Sequence, residues 1–269
     1  MPKWPEEFID TNGVHLCYHR TSGDKPAMIM LHGATDNGLC WTSITRDLQD
    51  EYDIIMLDAR GHGKSIVMSM KSDFSIADMA EDTAALAKQL GLDHPILFGH
   101  SMGGLVATLV ASKYPDLPSK LILEDPAYFL SKGLKLLVPL LRRLFLRSVR
   151  NMGKKSAEEA RAECKKQNPN WSDEDVDGIV QAHQQFVRNT SLERIKHFDV
   201  FADWNSLFPK IICPVLLLIP SNGFLKLNVA KKVLPSFKNA RIAYIPGAGH
   251  GVHRDQYAKC MEAIKNFLA

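Results

Sequence analysis

Ser101 in GHSMG (99–103), His250 in PGAGHGVHRDQ (246–256) and the His-Gly turn of LHGAT (31–35) could together do nucleophilic chemistry. GHSMG fits G-x-S-x-G and stands between an apolar run and a helical pattern, the context that gives the pentapeptide meaning. A serine on so tight a turn has its hydroxyl pushed out above the sheet, near the positive end of the following helix. Gly99 and Gly103 carry no side chains to collide around that turn. Small residues also pack helices against strands, so the pattern draws its weight from its partners. His250 lies in a glycine-rich loop after the last apolar run and can reach the hydroxyl as a general base. Its competitor, His253, opens the final helix and is expected to face solvent or pack locally. His32-Gly33 lets backbone approach a ligand closely, while His32 itself reads as structural. The N–H groups of Ala34 and Met102 could form an oxyanion hole, in which one donor is worth about 3–4 kcal/mol of transition-state stabilisation.

The elements that must position these groups are legible as alternating runs. Two short alternating stretches flank Asn12-Gly13, a hairpin signal. Near-continuous apolar runs follow at 27–31, 53–57, 95–99, 120–124, 214–219 and 241–245, as expected of strands buried on both faces. Helical patterns lie between them at 75–90, opened by a Ser75/Asp78 cap, at 101–114 and at 255–269. The alternation predicts an α/β fold with a mostly parallel sheet covered on both sides. From 127 to 209 only helical signals and loops occur, among them 134–146, the Ser172/Asp175 cap and SLERIKHF (191–198). This predicts a core of 1–126 and 210–269 with a helical cap subdomain inserted at 127–209.

GHSMG, LHG (31–33), DARGHGKS (58–65) and GAGH (247–250) together resemble the α/β-hydrolase superfamily, over essentially the whole chain. The resemblance implies the α/β-hydrolase fold with a helical cap, and a Ser–acid–His triad in that chain order. The acid usually follows the strand after the cap, but that loop here reads PSNGF (220–224), with Gly223 at the matching position. Branches such as haloalkane dehalogenases carry the acid one strand earlier, which implies Asp125 in LILEDPAY (121–128). Adjacent strand ends are close in space, so a carboxylate there can reach His250. Glu124 is the neighbouring alternative, although successive strand residues face opposite sides. Asn222 is a further alternative that would orient the histidine with a neutral amide, and Asp125 could instead merely cap the turn before Pro126.

Composition narrows the partners. The formal net charge of +3 gives no argument for nucleic acid. Five scattered cysteines, with no CxxC pair, read as reduced thiols in a cytoplasmic protein. No h-region opens the chain, and no run approaches a membrane span, so no stable membrane insertion is expected. The stretch 131–155 holds eight Lys or Arg and no acid. It reads as a cap helix with a solvated charged side; a face for membranes or anionic substrates is the alternative. Pro139 is expected to bend it. Trp41 is expected to wall the acyl side of a pocket to which the cap supplies Phe186 and Trp204, with Trp171 and Phe198 as further cap aromatics. The expected activity is a serine hydrolase acting on a small, moderately apolar carboxylic ester or lactone, with no metal and no organic cofactor. Two rivals share these residues: a C–C bond hydrolase of vinylogous diketones, and a ligand-binding, receptor-like protein that has lost turnover.

Overall fold

Asn12 and Gly13 both take positive φ, 47° and 72°. That backbone closes the hairpin between β1 (Glu6–Thr11) and β2 (Val14–Arg20), which pair in register from Thr11 opposite Val14 to Glu6 opposite His19. The structure, a computed structural model, describes residues 4–68, 75–128, 138–189 and 202–269.

Beyond the hairpin the strands are β3 (Ala27–Leu31), β4 (Asp53–Leu57), β5 (Ile66–Val67), β6 (Ile96–His100), β7 (Leu121–Glu124), β8 (Val215–Pro220) and β9 (Ala240–Ile245). They form one sheet in the order β1-β2-β4-β3-β6-β7-β8-β9, with β5 paired to β2. From β4 to β9 every pairing is parallel; only the β1-β2-β5 corner and the β2–β4 pair are antiparallel. All six apolar runs became strands, displaced by at most one residue. β5 has only two residues, too few for a period to show.

Each central strand is buried on both sides, and its side chains alternate between two apolar layers. Ile29, Leu31, Leu97, Leu121, Leu123 and Leu217 face the layer built with α2 (Ile76–Gln89) and α3 (Met102–Lys113). Met28, Met30, Phe98, Ile122, Leu216 and Leu218 face α1 (Thr42–Leu48) and the C-terminal helix Tyr257–Leu268. The helix starts follow their caps: Ser75 Oγ accepts the Asp78 N–H at 3.1 Å, as the sequence signal predicts.

Every described element between β7 and β8 is helical: α4 (Val138–Met152), α5 (Ala157–Gln167), α6 (Asp173–Asn189) and the short turns Trp204–Leu207 and Phe208–Lys210. The segment expected to bend at Pro139 is described only from Val138 on, within α4. The expected elements at 134–137 and 191–198, and Phe198 with them, lie outside the described residues. Among the described residues no helix is long and apolar enough to cross a membrane, and all five cysteines are unpaired.

Candidate active site

Ser101 stands between β6 and α3 with φ 52° and ψ −111°, a strained backbone for a residue with a side chain. The turn is tight because two glycines allow it. A Cβ on Gly99 would lie 2.2 Å from the Gly103 carbonyl oxygen, and one on Gly103 would lie 2.0 Å from that of Leu31. The Ser101 amide donates to the Glu124 carbonyl at 3.0 Å, anchoring the turn to β7. The turn after β3 lies against it: a Cβ on Gly33 would stand 3.5 Å from Ser101 Cβ. Gly103 N–H donates to the His32 carbonyl at 3.1 Å. His32 is buried, with Nδ1 donating to Gly33 O at 2.7 Å and Nε2 accepting from Ala59 N–H at 3.0 Å. Both ring nitrogens are thus occupied by backbone, as a structural histidine requires.

His250 meets Asp125. Its Nδ1 stands 2.6 Å from Asp125 Oδ2, so this nitrogen carries the hydrogen and Nε2 is left as the lone-pair nitrogen. Asp125 is fully buried, has φ 38° and also accepts the Phe224 and Leu225 N–H groups, each at 2.9 Å. The loop vacancy at Gly223 has a steric cause: a Cβ there would fall 2.2 Å from Asp125 Oδ2. The His250 carbonyl accepts from His100 Nε2 at 3.0 Å, and Phe224, exposed, sets its ring edge-on to the imidazole with centroids 4.6 Å apart.

Glu124 does not approach His250. The strand alternation turns it to the other face, where it accepts from the His253 backbone N–H at 3.0 Å and from its Nδ1 at 2.8 Å. Of the two expectations for His253, solvent or local packing, the solvent one is corrected: it is buried, held by Glu124 of β7 and packed on Trp41 at 4.9 Å. Asn222 is exposed, and its backbone N–H bonds Ala248. Trp41 is also corrected. It is fully buried between Phe98 and His253 in the layer of α1, a core side chain rather than a pocket wall. The same correction holds for Phe186 and Trp204: both are buried core side chains, Phe186 packed on His62 with centroids 4.6 Å apart and Trp204 on Tyr128 at 5.2 Å.

Buried titratable groups cluster around these loops. Burial pushes the His62 and His100 rings down to about 3, so both are neutral. Burial alone would raise Asp36 and Glu124, but Arg254 beside the first and His253 beside the second hold each at about 2. A neutral native histidine must gain its proton on unfolding. Stability is therefore complete above about pH 6.5 and falls as pH drops toward 3, by at most about 2.7 kcal/mol per pH unit for two rings. The two acids add to the loss only below their unfolded values. Urea melts from pH 8 to pH 4 check this; a midpoint unchanged between pH 7 and pH 5 would contradict it.

Among the described residues, one group has metal-ligating spacing: Glu6, Cys17 and His19, with ligand atoms within 4.8 Å of one another. It lies on β1 and β2, several strands from β7 and β8, and Glu6 is already paired with Lys64.

The chain's likeness to known proteins agrees with this geometry. Residues 26–194 match the model of the alpha/beta hydrolase fold family. A putative esterase/lipase of Haemophilus influenzae is 30% identical over 90% of this chain and 83% of its own. The sn-1-specific diacylglycerol lipase ABHD11 of Mus musculus is 26% identical, over 98% and 88%. The crystal structure of E-2-(acetamidomethylene)succinate hydrolase superposes with a TM-score of 0.76 at 21% identity, covering 99% of each chain, which bears on the fold alone. With a sheet of this order, a serine at the β6–α3 turn and a family match over more than half its length, the chain belongs to the α/β hydrolase family.

Proposed function

We propose that the protein is a serine hydrolase that cleaves a carboxylic ester or lactone through an acyl-enzyme. The observation that carries this reading is the 2.6 Å bond between His250 Nδ1 and buried Asp125, on loops beside a serine held at φ 52°. His250 Nε2 takes the Ser101 proton as Oγ attacks the carbonyl carbon. Asp125 holds the tautomer and stabilises the imidazolium that forms. The amides of Ala34 and Met102 receive the oxyanion; Gly103, the next amide of α3, is already committed to His32. The imidazolium then protonates the leaving alkoxide, and a water activated by the same nitrogen releases the acid.

The helical insertion between β7 and β8 serves as a cap over the site. The substrate is a small, moderately apolar molecule. Support for ester chemistry comes from the relatives, two of which carry esterase or lipase names at 30% and 26% identity. Incubation with a fluorophosphonate, followed by peptide mass mapping, tests the nucleophile. One adduct per chain on Ser101 is expected, with loss of aryl-ester turnover in step. Labelling elsewhere, or turnover that survives full labelling of Ser101, would refute the assignment. Vinylogous diketones offered in the same assay are expected to give no turnover.

A further inference from the structure

Asp255 uses its two carboxylate oxygens on two distant parts of the chain. Oδ2 accepts the Gly249 N–H at 2.7 Å, in the loop that carries His250. Oδ1 accepts the indole N–H of Trp171 at 2.6 Å, at the junction of α5 and α6. The approach to the loop is close: a Cβ on Gly249 would stand 2.9 Å from Asp255 Oδ2. Trp171 is only 9% exposed, and the Arg254 guanidinium lies over its ring at 5.1 Å from the centroid. Arg254 is itself buried and bonded to Asp36 at 2.7 Å, two residues beyond Ala34. A second tie runs from Asn37 Nδ2 to Gln185 of α6 at 2.9 Å. The insertion therefore rests on the His250 loop and on the turn after β3.

We propose that Asp255 is a positioning residue for His250, and that Trp171 makes the imidazole's placement depend on how the helical insertion is seated. The proposal rests on the reading of His250 as general base. Asp125 fixes the ring through Nδ1, while Asp255 fixes the backbone that carries the ring. Both bonds to Asp255 put a neutral N–H on a charged oxygen, the stronger class of hydrogen bond. Reacting groups must be held to about 0.5 Å, and an error of about 1 Å can cost 10²-fold in rate. A clamp that served folding alone would leave kcat untouched in any variant that still folds.

The test uses the full chain with Trp171→Phe, which keeps the ring and loses the N–H, and Asp255→Asn, which leaves one of the two donors facing an NH2 group. Aryl-ester kcat and KM are measured well below each variant's melting temperature. The low-field proton NMR signal of the His250–Asp125 bond is followed alongside. Expected are kcat losses of about tenfold for Trp171→Phe and about 10²-fold for Asp255→Asn, with KM within about twofold. The low-field signal should shift or broaden in both. Folded variants with wild-type kcat and an unmoved signal would overturn the proposal. Should Asp255→Asn fail to fold, Trp171→Phe decides alone. Should Ser101→Ala prove as active as wild type, the hydrolase reading fails, and the NMR signal still scores the clamp.

Discussion

Alanine at Ser101, at His250, or at both together is expected to cost about the same, a fall in kcat of about 10⁶-fold on short-chain aryl esters. The reason lies in how the two groups act. Without His250 the Ser101 hydroxyl keeps its proton and is a poor nucleophile. Without Ser101 the imidazole has no hydroxyl to deprotonate. Each loss thus abolishes the same step, and the second substitution has nothing left to remove. A residual rate about 10³–10⁴ above water should survive, because the Ala34 and Met102 donors are backbone and no side-chain change deletes them. The folds of the variants should hold: the Ser101 side chain makes no cap bond to α3, and the turn is set by the close approach of Gly99 to Gly103 and of Gly103 to Leu31. Steady-state kinetics on the two single variants and the double variant are the check. Losses that multiply would mean the two groups work in separate steps, and the triad would have to be abandoned.

Much of this arrangement was legible in the sequence, for reasons of period and punctuation. Apolar runs such as 27–31 and 214–219 announce strands buried on both faces, because parallel strands carry apolar side chains at every position. G-x-S-x-G and the Asn-Gly hairpin are written in residues that the backbone itself demands. The Glu124/Asp125 choice was also decidable, since alternation sends the two carboxylates to opposite faces and each finds a histidine there. What sequence could not supply is contact between distant segments. Trp41 follows the turn after β3 in the chain, yet packs on His253, more than two hundred positions away. His253 looked like a solvated helix start because its partner stands on β7. Asp255 bonds Trp171 across 84 positions, and nothing local to either residue marks the pair.

The position of the acid gives the second large effect. Asp125→Asn is expected to lower kcat about 10⁴-fold while leaving KM nearly unchanged. The carboxylate accepts three hydrogen bonds, from Phe224, Leu225 and His250 Nδ1, and donates none. An amide has one accepting oxygen. Turned toward Phe224 and His250, it sets its NH2 against the Leu225 N–H; turned the other way, it drives the imidazole into the wrong tautomer. Gly223 extends the test to the neighbouring strand. Its Cβ would fall 2.2 Å from Asp125 Oδ2 and 2.4 Å from Pro220 Cγ, so Gly223→Ala must displace the carboxylate or the loop and should lose activity with Asp125 still present. In the Asp125→Ala background that space is vacant. Gly223→Asp then starts a side chain within one carboxylate's reach of the oxygen that His250 lost, because β7 and β8 are paired neighbours. The double variant should recover about tenfold over Asp125→Ala, equivalent to about 1.4 kcal/mol, with the Pro220 contact limiting it. Near wild-type turnover in Asp125→Asn would show that the imidazole is oriented by something other than this carboxylate. A double variant no better than Asp125→Ala would show that the β8 loop cannot present an acid to His250.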